Sequence, residues 1–250
     1  MANNIYLLFE QSATAAQDST ALINSAGAKL SFKSLEEECR QLAAGLAATG
    51  IKPGDRVVLM VPPDFTFYAL TFALFRAGAV IVLLDPGIGM ENIGKCLEAA
   101  KPAAFIGSVK AHLGRLTGRW AKDTLKTLIT TGPRILRSEV QLDFVRTSAP
   151  KGKLQPHAEP GQTAAILFTS GATGKPKGAV YTHEMLYTQA KLLRDYFSIK
   201  PGEVSVATFP MFGLFDVALG QTVVLPNMDT TMPAAADPEE IIRAVTANGA

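Results

Sequence analysis

Cysteine is nearly missing from this 250-residue chain: Cys39 and Cys96 are the two it has, and no CxxC spacing occurs. That excludes a disulfide framework and a cysteine-based zinc site. Both fall in helix-like segments with no secretory leader ahead of them, so they read as reduced thiols of a cytoplasmic protein. An excess of charge of one sign is also lacking. Lys and Arg number 24 against 22 Asp and Glu, a net of +2 with the basic residues scattered, which leaves the term that dominates nucleic-acid binding weak. Low-complexity tracts and internal repeats are absent. A Walker A loop (GxxxxGK followed by Ser or Thr) and a dinucleotide GxGxxG are absent too. What remains is 48% hydrophobic and 18% charged, enough to bury a real core as one large domain or two small ones.

One long apolar run needs a reading. "FTFYALTFALFRAGAVIVLL", Phe65 to Leu84, has the length of a membrane span. Arg76 falls inside it, where a charge in lipid costs roughly 2.5 kcal/mol or more. Gly78 is a natural helix stop, and Val and Ile dominate beyond it. The run therefore predicts a buried helix, a glycine C-cap and a buried strand ending at Asp85 and Pro86, with no membrane span.

The same alternation recurs along the chain. Ser34 and Glu37 form a capping box, after which Leu35, Cys39, Leu42 and Leu46 repeat at helical spacing until Gly50. "KPGD" turns into the strand "RVVLMV", closed by Pro62 and Pro63. A helix over Glu91 to Ala100 leads into the strand "AAFIG". Later come "AAILFTS", "GAVYTH", the helix "EMLYTQAKLLRDYF", "VSVATFP", "TVVLP" and a helix from Asp237 to Ala247. Short buried strands between helices predict an α/β fold with a largely parallel sheet flanked by helices. Lys110 to Ser148 is the least legible stretch, and Ala149 to Gln162 is the candidate surface connection or subdivision.

Between the strands ending near Phe168 and starting near Gly178 lies a polar loop: Thr169, Ser170, Gly171, Ala172, Thr173, Gly174, Lys175, Pro176 and Lys177. Phosphate oxygens take short hydrogen bonds from hydroxyls, from backbone amides that glycine lets approach, and from lysine. Each charge-assisted bond is worth about 1.5 to 3 kcal/mol, so several together hold a polyphosphate. The bland alternative is a Gly- and Thr-rich hairpin whose lysines serve solubility.

"TSGATGKPKGAV" resembles the phosphate-loop signature of the adenylate-forming superfamily of acyl-CoA synthetases, luciferases and peptide-synthetase adenylation domains. It departs only at Ala172, where a Thr is usual. "LSFKSLEEECRQLAAGLAATGIKPGDRVVLMVPP" and "FALFRAGAVIVLLDP" resemble the family's preceding segments, so the likeness runs in order over roughly residues 20–250. The resemblance implies ATP and Mg2+ as cofactors. A carboxylate attacks the α-phosphorus of ATP, releases pyrophosphate and leaves an acyl-adenylate. It places Thr169 to Lys177 around the β- and γ-phosphates, with Lys177 as the catalytic charge and the Thr169 hydroxyl near magnesium. Lys175, at the variable position, is expected to face solvent. His183 reads as a packed or capping residue at a helix start.

"ATFPMFGLFDVALGQTVVLPNMD" narrows the substrate class. Many acyl-CoA synthetases carry a histidine after the Pro-x-Phe element, in the wall of the acyl pocket; here Gly213 stands there. With "AAFIGSVKAHLGRL", this segment resembles the β-lactone synthetases of bacterial long-chain olefin biosynthesis. Those enzymes adenylate a long 3-hydroxy acid whose own hydroxyl then displaces AMP, without coenzyme A. Met211, Phe212, Gly213 and Phe215, with Phe209 and Leu214, are the candidate acyl-pocket residues; ordinary core is the competing reading. A long-chain fatty acid–CoA ligase and a non-catalytic nucleotide-phosphate module remain alternatives. By the resemblance the chain is the front of an N-terminal domain. A Tyr-Gly-x-Thr-Glu element, a ribose-holding Asp and a C-terminal domain with its lysine do not occur by Ala250, so the chain alone is expected not to complete adenylation. Expected partners are a long-chain carboxylic acid, other enzymes of the same pathway, or a second copy through the surface left uncovered.

Overall fold

A computed structural model describes residues 3–148, 158–169 and 177–250, with the Pro86 side chain excluded. In chain order its first half carries α1 (Ile5–Ala15), β1 (Thr20–Ile23), β2 (Lys29–Ser31), α2 (Phe32–Ala48), β3 (Arg56–Met60), α3 (Phe65–Arg76), β4 (Val80–Leu84), α4 (Met90–Ala100), β5 (Ala104–Gly107) and α5 (Val109–Gly118). Then follow β6 (Thr127–Thr130), β7 (Val140–Gln141), α6 (Leu142–Thr147), β8 (Thr163–Thr169), β9 (Lys177–Thr182), α7 (His183–Phe197), β10 (Val204–Val206), α8 (Pro210–Ala218), β11 (Thr222–Val224) and α9 (Pro238–Asn248). Two compact units divide them. One comprises Met1–Glu38, Pro63–Ala69 and His183–Ala250, the other Cys39–Pro62 and Leu70–Thr182. The stretch 149–162 falls inside the latter, and its residues 149–157 lie outside the described residues.

The second unit is built on a seven-stranded sheet of order β7-β6-β5-β3-β4-β8-β9. Every pairing is parallel except β8 with β9, so the expected largely parallel sheet is present. Its strands are runs of Val, Ile, Leu and Phe because helices and loops cover both faces of such a sheet. Val58, Val82, Leu97, Phe105, Trp120, Ile166 and Phe168 meet in its core. The Phe65–Leu84 run is a 12-residue helix, a turn at Gly78 (φ +68°) and strand β4. No helix among the described residues is long and apolar enough to cross a membrane.

Lys110–Ser148 resolves into α5, β6, β7 and α6 around a buried polar knot. The Glu139 carboxylate accepts from the backbone N–H groups of Ile135 (2.7 Å) and Leu136 (3.1 Å) and faces Arg115 at 3.7 Å and His112 Nδ1 at 3.2 Å. His112 Nε2 donates to the Ile129 carbonyl at 3.0 Å, and its ring packs edge-on against Phe105. Burial, the largest cause, pushes the His112 pKa down; Ile129 and Glu139 oppose it in part. The polar residues that made this stretch illegible are thus gathered inside the fold, where His112, Arg115 and Glu139 are all buried.

The first unit holds a second sheet, of order β10-β11-β1-β2, which the sequence reading did not foresee. α1 packs on α7 and α8, burying Tyr6 and Phe9 with their rings edge to face at 5.8 Å. The start of α2 also departs from expectation. Ser31, not Ser34, caps it: the Ser31 Oγ accepts from the Ser34 N–H at 3.1 Å, which places Ser34 inside the first turn and removes the Ser34/Glu37 capping box.

Candidate active site

β8 and β9 form an antiparallel hairpin in which Phe168 pairs with Gly178 and Thr169 with Lys177. Ser170, Gly171, Ala172, Thr173, Gly174, Lys175 and Pro176, the residues between, lie outside the described residues. Of the phosphate-loop set, the structure therefore places the two ends. Thr169 and Lys177 face each other across the strands, and both are exposed. Strand sequence explains the arrangement: after Thr163, "AAILF" feeds its apolar side chains into the core, and the next polar residue, Thr169, emerges at the carboxyl end of the strand.

Beside it runs β4, parallel to β8, whose next residue Asp85 donates its backbone N–H to the Phe168 carbonyl at 2.9 Å. Asp85 spends its carboxylate on the Gly87 N–H at 2.9 Å, capping a single 3-10 turn. The crevice outside the carboxyl ends of parallel strands is where open α/β sheets bind ligands. An exposed hydroxyl and an exposed ammonium on paired residues at that edge suit a polyphosphate. No cluster of three His, Cys, Asp or Glu suited to a metal occurs among the described residues.

The acyl-pocket candidates fall on α8 of the first unit or at its N-cap, a stretch that the sequence reading had left without a helix. Phe209 precedes it as N-cap and Pro210 opens it. Gly213, Leu214 and Phe215 are buried, Met211 is half-buried, and Phe212 is 54% exposed beside Phe209 at 51%, their rings 5.5 Å apart. Only the two phenylalanines thus present an apolar surface, while Gly213, Leu214 and Phe215 serve the core of this unit. Tyr68, which no sequence signal singled out, reaches this helix from α3 and donates its hydroxyl to the Pro210 carbonyl at 3.2 Å. Asp216 accepts from the Ser205 hydroxyl at 2.8 Å; burial raises its pKa, and that hydrogen bond holds it back. His183 opens α7 fully buried, as a packed residue does, and burial alone pushes its pKa down to about 4.

A hairpin with a paired hydroxyl and ammonium at the carboxyl edge of a largely parallel sheet is the α/β architecture of a ligand-binding enzyme domain. The profile of the AMP-binding enzymes matches residues 9–247, and the chain belongs to that family. Over 221 residues it is 47% identical to the olefin beta-lactone synthetase of Xanthomonas campestris pv. campestris, covering 88% of this chain and 40% of that protein. The corresponding protein of Stenotrophomonas maltophilia is 45% identical over 86% of this chain and 39% of its own length. The chain thus spans about two-fifths of the length of these relatives. Among solved structures, the inhibitor-bound N-terminal domain of FACL13 from Mycobacterium tuberculosis superposes with a TM-score of 0.79 at 23% identity, over 93% of this chain and 59% of that one. Apo MatB from Rhodopseudomonas palustris gives 0.80 at 23% identity, over 99% and 48%. At these identities the structures establish the shared fold.

Proposed function

We propose that this chain grips the phosphates of ATP in an adenylating enzyme that activates a long-chain 3-hydroxy carboxylic acid and closes it to a β-lactone, within cytoplasmic olefin biosynthesis. The pairing of Thr169 with Lys177 at the carboxyl end of β8 is the observation that carries the phosphate half. Lys177 neutralises the β- and γ-phosphates, the Thr169 hydroxyl donates to the same oxygens, and the intervening Ser170, Thr173 and glycine amides supply further donors. Magnesium, when bound with a Thr169 contact, adds positive charge to the departing pyrophosphate. The substrate carboxylate attacks the α-phosphorus and pyrophosphate leaves. The 3-hydroxyl then attacks the acyl carbon, AMP departs, and the ring closes.

Two observations favour lactone over thioester formation. The two relatives cited share 47% and 45% identity with the chain and bear the name olefin beta-lactone synthetase. Gly213, moreover, leaves no side chain at the position where many acyl-CoA synthetases carry histidine, and Phe209 with Phe212 offers an apolar wall to an alkyl chain. Two buried free thiols accord with a reducing compartment.

Calorimetric titration of the chain with Mg-ATP tests the phosphate half. Lys177→Ala removes one charge-assisted contact of about 1.5 to 3 kcal/mol, so binding weakens roughly tenfold to a hundredfold. Equal affinity in both proteins would remove the hairpin from the site. The native polypeptide carrying this sequence tests the second half: with Mg-ATP and a 3-hydroxy acid it releases pyrophosphate and yields a lactone by mass spectrometry. A product that appears only with coenzyme A would establish the ligase instead.

A further inference from the structure

Helix α8 carries a glycine in its interior, where almost any other residue would favour the helix. Gly213 does not adopt a positive φ, so backbone freedom is not what it supplies. Space is. A Cβ at 213 would stand 2.3 Å from the Tyr68 hydroxyl oxygen, 3.0 Å from Ala207 Cβ and 3.2 Å from Tyr68 Cζ. Tyr68, fully buried, fills with its phenol end the volume that a side chain at 213 would take.

The same hydroxyl hydrogen-bonds the Pro210 carbonyl at the first residue of α8. Burial, with the Asp216 charge as a lesser cause, raises the Tyr68 pKa far above its usual range, so the group remains a donor. One turn beyond Gly213, Asp216 ties the helix to Ser205 of β10. Two polar contacts therefore fix the inner face of α8, and with it the Phe209 and Phe212 rings on the exposed side.

We propose that Tyr68 is a positioning residue for acyl specificity: its hydroxyl occupies the space of a side chain at 213, anchors the start of α8, and thereby sets the Phe209–Phe212 wall against the alkyl chain. The inference rests on the acyl-wall reading above. It makes positions 68 and 213 an exchange pair, in which a tyrosine at one requires a glycine at the other. A histidine at 213 is incompatible with Tyr68 as it stands.

The test is a two-part cycle. In urea unfolding of the chain, Gly213→Ala lowers the midpoint, and the double variant Tyr68→Phe/Gly213→Ala recovers at least half of that loss, because the obstructing oxygen is gone. Strictly additive single effects would overturn the volume exchange. In the native polypeptide, Tyr68→Phe loses a single hydrogen bond. It raises KM for a long-chain 3-hydroxy acid about threefold to tenfold, with kcat within about twofold and KM for ATP unchanged. Turnover with an unchanged KM for the acid would overturn the role of Tyr68 and leave the function standing. Failure of the wild-type polypeptide to turn over any acid would overturn the acyl wall, and this inference with it.

Discussion

Gly178 offers the most direct way to disturb the β8–β9 hairpin without touching a residue proposed to hold phosphate. It pairs with Phe168 across the strands, one step from the Thr169–Lys177 pair. A Cβ there would meet the Phe168 ring at 3.0 Å and Ile166 Cγ2 at 3.1 Å, so both must retreat by a few tenths of an ångström. Neither is free to do so, since both belong to the core of the seven-stranded sheet. Overpacking of this kind costs roughly 1–3 kcal/mol, against about 0.5–1 kcal/mol gained by replacing a glycine. The clash wins, and Gly178→Ala is destabilising by about 1 kcal/mol. Relief comes by splaying the strand ends, which moves Lys177 away from Thr169. Mg-ATP affinity should fall about threefold to tenfold, less than in Lys177→Ala because the ammonium is still present. Calorimetry with each variant beside Ala179→Ser, whose side chain points to the other face of the strand, reads this directly. Reduced stability with ATP affinity within twofold of wild type would refute the reasoning that strand pairing positions the two phosphate-binding ends.

Two further predictions concern the scaffold. Gly45→Ala on α2 would place a methyl 1.9 Å from the Val145 carbonyl oxygen, a backbone atom of α6 that cannot rotate away. Despite the better helix propensity it should cost at least about 2 kcal/mol. Gly94→Ala on α4, whose Cβ meets Trp120 at an ordinary 3.5 Å, should instead stabilise by about 0.5–1 kcal/mol. Urea midpoints for the pair test whether space or propensity sets the sign. Acid provides the other test: His183 has a folded pKa of about 4 against roughly 6.5 unfolded, so below pH 6.5 the unfolded chain binds the extra proton first. The neutral-form stability is complete above pH 6.5 and lost progressively down to pH 4, about 2 kcal/mol of it by pH 5. His112, also pushed down, adds in the same direction. His183→Gln should flatten the slope between pH 7 and 5, and an unaltered slope would contradict the assignment.

Legibility followed burial symmetry. β3, β4, β5 and β8 lie inside a parallel sheet and are apolar on both faces, so their runs stand out in the sequence and end where the structure ends them, within a residue or two. β1, β2 and β7 are two to four residues long and carry Thr, Lys, Ser or Gln, too little signal to distinguish from turns. α5 escaped because His112 and Arg115 break the expected apolar face and lie against Glu139, 24 residues or more further along; α6 is only six residues long. The loop stood out in the sequence because glycine, hydroxyl and lysine recur within nine residues; its two ends, Thr169 and Lys177, are the part that falls within the described residues. Tyr68 was not, for its role depends on Gly213 and Pro210 more than 140 residues away, and nothing local marks a tyrosine inside an apolar helix as a positioning group.

Under the proposed function, the hairpin also bears on how a phosphate would be held. Many phosphate sites in α/β proteins place the anion at the N-terminus of the helix that follows a strand, where the macrodipole and free N–H groups supply the attraction. Here β8 is followed by its antiparallel neighbour β9, on which Lys177 pairs with Thr169. On the proposed reading, attraction at the described ends comes from side-chain charge. That shifts the burden onto Lys177, which stands on a strand whose register is fixed by its partner. A lysine on a paired strand has less freedom than one on a loop, and less entropy to lose when it meets an anion. Lys177→Arg should therefore recover only part of the affinity lost in Lys177→Ala. The charge is kept, but the longer planar fork must meet the phosphates from a backbone position that the strand pairing does not let move.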